Sequence, residues 1–185
     1  MNRTGGRLLK AAAVLLLVPV LALVVYDAVA VGRHVPRIEA ALAQARPDEA
    51  SPPQLVRDLI DADNGSLAPH VSRMAMTWVA PTPHAGMARH HVRSALWAIL
   101  LPLHLDKSQM YGLYCVRAYN GTDHGLGAFS LREYGLPLSR LSAGQAAATV
   151  AIAHAPSAYL RDRDRLNRRV ELLLAKSGHL APAQQ

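Results

Sequence analysis

Cysteine is nearly missing from these 185 residues: Cys115 stands alone, so no internal disulfide can staple the fold. Its expected role is that of a small buried hydrophobe on a helix. Aromatic residues are only 5% of the chain, and no basic run is interleaved with rings that could stack on bases, which sets nucleic acid aside as a partner. Alternating apolar and polar residues over the length of a strand are absent as well, so the expected fold class is all-α. His84, His90, His91 and His104 have no carboxylate or thiolate at metal-ligand spacing, and the residues themselves call for no metal.

About half of the chain is apolar, enough to bury the core of one ordinary domain with an appendage. Lys and Arg total 20 against 13 for Asp and Glu, a net charge of +7 that favours anionic partners such as a membrane surface or a phosphate-bearing ligand. The appendage is N-terminal. A basic tail, residues 1–10 with Arg3, Arg7 and Lys10, precedes the apolar run "AAAVLLLVPVLALVVYDAVAV" at 11–31, long enough to cross a bilayer. A cleaved signal peptide, with "DAVA" at 27–30 as its cleavage site, is the competing reading; the length of the run favours an uncleaved transmembrane anchor. Three cations ahead of the run place the N-terminus in the cytoplasm and the bulk of the chain on the periplasmic side of an inner membrane, although Arg33, His34 and Arg37 beyond it weaken the asymmetry.

Residues 32–51 read as a stalk: helical spacing in "RIEAALAQARPDEA" stops at Pro47, and Pro52 and Pro53 follow. The domain proper is expected over 52–178, with a flexible tail at 179–185. "PQLVRDLIDAD" places Leu55, Leu59 and Ile60 on one helical face and stops at Asn64-Gly65. "TWVAPTPHAG" at 77–86 reads as loop, and helix resumes from Met87 until Pro102 interrupts it. Asp106 caps a helix through "KSQMYGLYCVRAY", "NGTDHGLG" breaks it, and Ser142 caps the small-residue helix "AGQAAATVAIAHA". Pro156 turns the chain into "YLRDRDRLNRRVELLLAK", whose charged residues read as a solvated face laced with i, i+3 and i+4 ion pairs.

Taken in order, these elements resemble the family 51 glycosyltransferases, the peptidoglycan polymerase module of penicillin-binding proteins and monofunctional transglycosylases. "LSAGQAAATVAIAHAPSAYL" is similar to the family's Leu-Ser/Thr helix with Glu-Ala-Ala and its Pro-Ser-x-Tyr turn, and "LDKSQMYGLYCVRAYNG" to its Leu-Ser-Lys and Glu-x-Tyr-Leu-Asn segment. Tyr134 falls at the aromatic before the family's Gly-Lys. Leu59, Ile60, Asp63, Asn64, Leu67 and His70 keep the spacing of a motif in which a glutamate is the general base. The resemblance implies a single lysozyme-like helical glycosyltransferase-type domain acting on, or binding, the lipid-linked disaccharide precursor (lipid II) of the cell-wall glycan strand.

By the same resemblance Asp63 is the catalytic base, one methylene short, and His70 supports its loop. Asn64, Ser72, Tyr114 and Arg117 border the substrate, and Arg89, His90 and Arg93 face its pyrophosphate, since such cations suit phosphate oxygens. The family's second carboxylate has no counterpart: His90, His91 and Ser94, or Arg89, His90 and Arg93, occupy that motif. Gly112 and Ala128 stand where glutamates are usual and Val116 where asparagine is, and only "SRMAMTW" at 72–78 remains of the glutamine motif. These departures imply a weakened or lost polymerase, or a non-catalytic envelope scaffold or glycan-binding pseudoenzyme with cell-wall enzymes as partners. Cofactor is expected to be none; a divalent metal enters by family analogy alone. The scheme requires the helix ending near residue 64 and the arginine-bearing helix after residue 88 to converge on one cleft opening toward the bilayer.

Overall fold

The structure is a computed structural model describing Leu15, residues 17–82 and residues 86–179. The basic tail, the start of the apolar run, His84 and residues 180–185 lie outside the described residues. Within them the chain is all-helical, with no strand and one isolated bridge between Tyr119 and His124.

A continuous helix of 28 residues, Leu17–Gln44, leads into the domain, and it is long and apolar enough to cross a membrane. Its first part, α1 (residues 17–26), presents Leu17, Val18, Val20 and Leu21 to the outside. A π-helical turn at Asp27–Val31 and a 3-10 turn at Gly32–His34 then join it to α2 (Val35–Gln44). The π-turn re-aims Asp27: its carboxylate oxygens lie 2.9 and 3.0 Å from His104 Nε2, across 77 positions of sequence. The apolar helix is thereby tied to the domain.

The expected stalk is instead part of the core. Ile38 is fully buried, Leu42 nearly so, and both α2 and the short α3 (Pro47–Ala50) pack on α7 (Lys107–Arg117). Close approach explains Gly112 on α7. A Cβ there would meet the Ala50 carbonyl oxygen at 2.4 Å, so the glutamate that the family resemblance expects has no room.

Around α7 the remaining helices follow from local signals. α4 (Gln54–Asn64) buries Val56, Leu59 and Ile60 and stops at Gly65, whose φ of 68° suits glycine. α5 (Leu67–Val79) then runs through Pro69, tolerated in the first turn because that N–H has no helical partner. α5 takes up residues 77–79, so the loop before α6 (Met87–Leu100) is shorter than its prolines suggested. Pro102 does end the helical run, in a 3-10 turn at Leu101–Leu103. Asp106 caps α7 and Ser142 caps α9 (Ala143–His154), each in a capping box with a glutamine three residues on. Between them α8 (Leu126–Tyr134) stops at Gly135. The short α10 (Pro156–Tyr159) leads to α11 (Arg163–Ser177). α11 and α9 both pack on α4, while α5 lies against α6 and α7. Cys115 is fully buried, and burial pushes its thiol well above the ordinary range.

Candidate functional site

The end of α4 gathers several of the residues singled out from sequence. Asp63 directs its carboxylate at α9 and α11: Oδ1 accepts from Arg169 Nη2, and Oδ2 lies 3.0 Å from His154 Nδ1. None of the Asp63 side chain is exposed, against 18% for Arg169 and 45% for His154. Both oxygens are therefore occupied, and a carboxylate must reach a hydroxyl within about 3 Å to take its proton. Asn64 folds back on its own helix, donating from Nδ2 to the Ile60 carbonyl at 3.0 Å. The His70 ring sits 5.6 Å from that of Tyr114. Burial, then Arg73, hold His70 below the usual histidine range, with Asp63 acting in the opposite sense. Burial pushes the Tyr114 hydroxyl upward. Ser72 is fully buried with its hydroxyl unpartnered, so it borders no open site.

The α6 cations lie elsewhere. Arg89 is exposed, and Arg93 binds the far end of α5, donating to the Ala80 carbonyl at 3.0 Å and to the Thr82 hydroxyl. With His90 it lines a shallow hollow of about 180 Å³. His70 and Ala80 are ten positions apart on α5 and its exit, about 15 Å of helix. The shared cleft expected between the end of α4 and the start of α6 is thus corrected: the two groups sit at opposite ends of α5. Arg117 turns to the end of α5. Its guanidinium stacks on Trp78 with Cζ 4.4 Å from the ring centre, while Arg37 of α2 lies 5.1 Å from the same ring.

A cleft of about 490 Å³ that the sequence did not single out lies between the α4–α5 turn and the start of α7. Leu67, Pro102, Leu105 and Met110 form apolar walls, and Asp61 and Lys107 supply charge. Tyr111 donates to Asp61 Oδ2 at 2.5 Å, and Lys107 Nζ is 3.9 Å from the same oxygen. Burial first, then the Asp61 carboxylate, push the Tyr111 hydroxyl upward. Asp61 and Asp63 are two positions apart on a helix with ~3.6 residues per turn, so they point to nearly opposite sides. One faces the open cleft and the other the ion pair. Pro102 and Leu105 flank His104, which places the cleft beside the base of the apolar helix.

Three further residues were missed. Arg169 was read as part of a solvated face, yet it shares the α11 stripe of Leu166, Val170 and Leu173 that packs inward. His154 closes α9, where a cation is favoured by the helix dipole. Trp78 was taken as loop. No three His, Cys, Asp or Glu side chains gather at metal-binding spacing among the described residues.

Fold and site together define an all-helical domain carried on an apolar helix long enough to cross a membrane, with an apolar-walled cleft near the base of that helix. Comparison with models of protein families finds no match, and comparison with curated proteins finds none either.

Proposed function

We propose that the chain is a single-pass, inner-membrane-anchored binding protein of the cell envelope, derived from peptidoglycan glycosyltransferases but without turnover. The observation that carries the non-catalytic reading is the closure of Asp63 by Arg169 and His154 with no exposed side-chain surface. The ligand is the lipid-linked disaccharide precursor or the nascent glycan strand, held on the periplasmic side for partner cell-wall enzymes. The 490 Å³ cleft suits such an amphipathic molecule: Leu67, Pro102, Leu105 and Met110 take its apolar part, and Asp61 and Lys107 hydrogen-bond its sugar hydroxyls. The substrate class rests on the motif resemblance.

The test uses the full chain in micelles with fluorescent lipid-linked precursor. The expected result is saturable binding, weakened about tenfold in Asp61→Ala, and no polymer. Polymer made by wild type and lost in Asp63→Ala overturns the non-catalytic reading. Absence of both polymer and binding overturns the substrate class.

A further inference from the structure

Cations converge on Trp78 from two helices, and no acid accompanies them. Arg37 and Arg117 flank its ring at 5.1 and 4.4 Å. Among the described residues neither is within ion-pair distance of a carboxylate, nor are Arg33 and Arg93. The group is compact enough for its members to act on one another. Burial first, then Arg33, Arg37 and Arg93, depress the His34 pKa; burial, then Arg37, depress that of Arg117. Arg117 Nε is buried without a hydrogen-bond partner. Beside the stacked ring is an open hollow of about 330 Å³, lined by Met74, Thr77, Trp78, Arg117 and His124. Arg117 lines that hollow and Arg37 reaches the same indole from α2, so positive charge without an ion-pair partner among the described residues gathers beside it, which favours an anion.

The helix directions say where that anion comes from. On the leading helix the uninterrupted apolar run ends at Val31, and Arg33 and Arg37 follow about 3 and 9 Å further on. A headgroup layer is ~5–7 Å thick on each side of the hydrocarbon, so the Arg33 backbone falls within it and the long Arg37 side chain starts just beyond it. α6 repeats this order in reverse. Its C-terminal end and the following turn expose Ile99 at 64% and Leu103 at 72%, next to the Asp27–His104 pair, while Arg93 lies near His34 at the other end. Both elements therefore carry exposed apolar residues near the Asp27–His104 pair and a cation further along, and on α6 Val92 and Met87 add exposed apolar surface beside and beyond that cation. An interfacial Trp between arginines belongs at that boundary.

We propose that Arg37, Trp78 and Arg117 form a binding site for the phosphate headgroup of an anionic glycerophospholipid in the leaflet next to the domain. The guanidiniums hold the phosphate oxygens, the indole keeps both side chains pre-positioned, and the anchor holds the site in the headgroup layer. This rests on the anchoring reading but not on the precursor-binding one.

The experiment places the full chain in phosphatidylcholine nanodiscs containing spin-labelled phosphatidylglycerol or spin-labelled phosphatidylcholine. The motionally restricted fraction then measures relative association. Wild type is expected to prefer phosphatidylglycerol, and Arg37→Gln/Arg117→Gln to lower that preference on the order of tenfold. Arg161→Gln/Arg168→Gln, with the same change in net charge at exposed positions just before and within α11, is expected to leave it intact. Arg37→Gln alone, at an exposed position, gives the same direction with the fold undisturbed, checked by far-ultraviolet circular dichroism. No preference in wild type, or an equal loss in the α11 control, overturns the site. Displacement of the lipid by millimolar inorganic pyrophosphate at matched ionic strength overturns the lipid as its occupant. A chain that fails to enter the nanodisc overturns the anchoring as well, which separates the two readings.

Discussion

Asp63 and Arg169 are 106 positions apart in the chain, and their side chains meet where α4, α9 and α11 join. The carboxylate has no exposed side-chain surface and the guanidinium has little, so the pair couples the last helix to the first helix of the expected catalytic motif.

Removing one partner leaves the other without its counter-charge. Breaking a fully buried pair costs ~3–5 kcal/mol; because His154 and part of Arg169 reach water, Asp63→Asn is expected to cost about 2 kcal/mol. Denaturant unfolding of Asp63→Asn, Arg169→Gln and the double variant checks this. The double variant should lose clearly less than the sum of the singles, and additivity would remove the coupling.

The Asp27–His104 contact secures the domain to its apolar helix. His104→Ala leaves a carboxylate at the edge of an apolar segment without its partner, and hydrogen exchange at residues 100–105 is expected to accelerate roughly tenfold or more. Asp27→Leu/His104→Leu, which removes both polar groups, should restore most of the protection. Equal exchange in wild type and His104→Ala would show that the contact holds nothing.

Two glycines face different obstacles. A Cβ at Gly112 meets the backbone oxygen of Ala50, whereas one at Gly127 comes within 2.5 Å of the Glu49 side chain. Gly112→Ala and Gly127→Ala are each expected to destabilise by about 1–3 kcal/mol. In a Glu49→Ala background the Gly127→Ala cost should largely vanish, since the obstacle is gone and alanine favours helix. Glu49→Ala should not rescue Gly112→Ala. Thermal unfolding of the four combinations separates the two.

Glu49 also sets a pH dependence. Its Oε1 accepts from the Gly127 N–H at 2.8 Å, and burial raises its pKa above the ordinary value of 4.5. As pH rises through 4.5 the unfolded chain loses this proton first, so the contribution of Glu49 to stability falls until its raised folded value is passed. Glu49→Gln keeps the acceptor and cannot ionise. Its stability relative to wild type should therefore increase from pH 4 to pH 7, measured as unfolding midpoints at both.

Much of the helical layout can be read along the chain because its causes are local. Gly65 ends α4, Asp106 and Ser142 start α7 and α9, and Pro102 interrupts the run after α6, each acting within about one helical turn. The apolar run before Gly32 likewise declares itself by length. The segment called a stalk looked like a spacer because of its prolines. Ile38, Leu42 and Glu49 are buried only because α7 presents a glycine to Ala50 and α8 presents another to Glu49.

The candidate site was legible only as a neighbourhood. Asp63, Asn64, His70 and Tyr114 do gather, but which acid of "DLIDADN" opens to a cleft depends on what covers each side of α4. Arg169 closes one side from 106 positions away, and Tyr111 meets Asp61 from 50 away on the other. Composition and periodicity alone determined an all-helical domain behind an apolar helix. Tertiary packing decided that Asp63 is locked, that Asp61 is open and that two arginines share Trp78, because a side chain's partners across the molecule depend on how helices dock, while helix propensity and capping act over only a few residues.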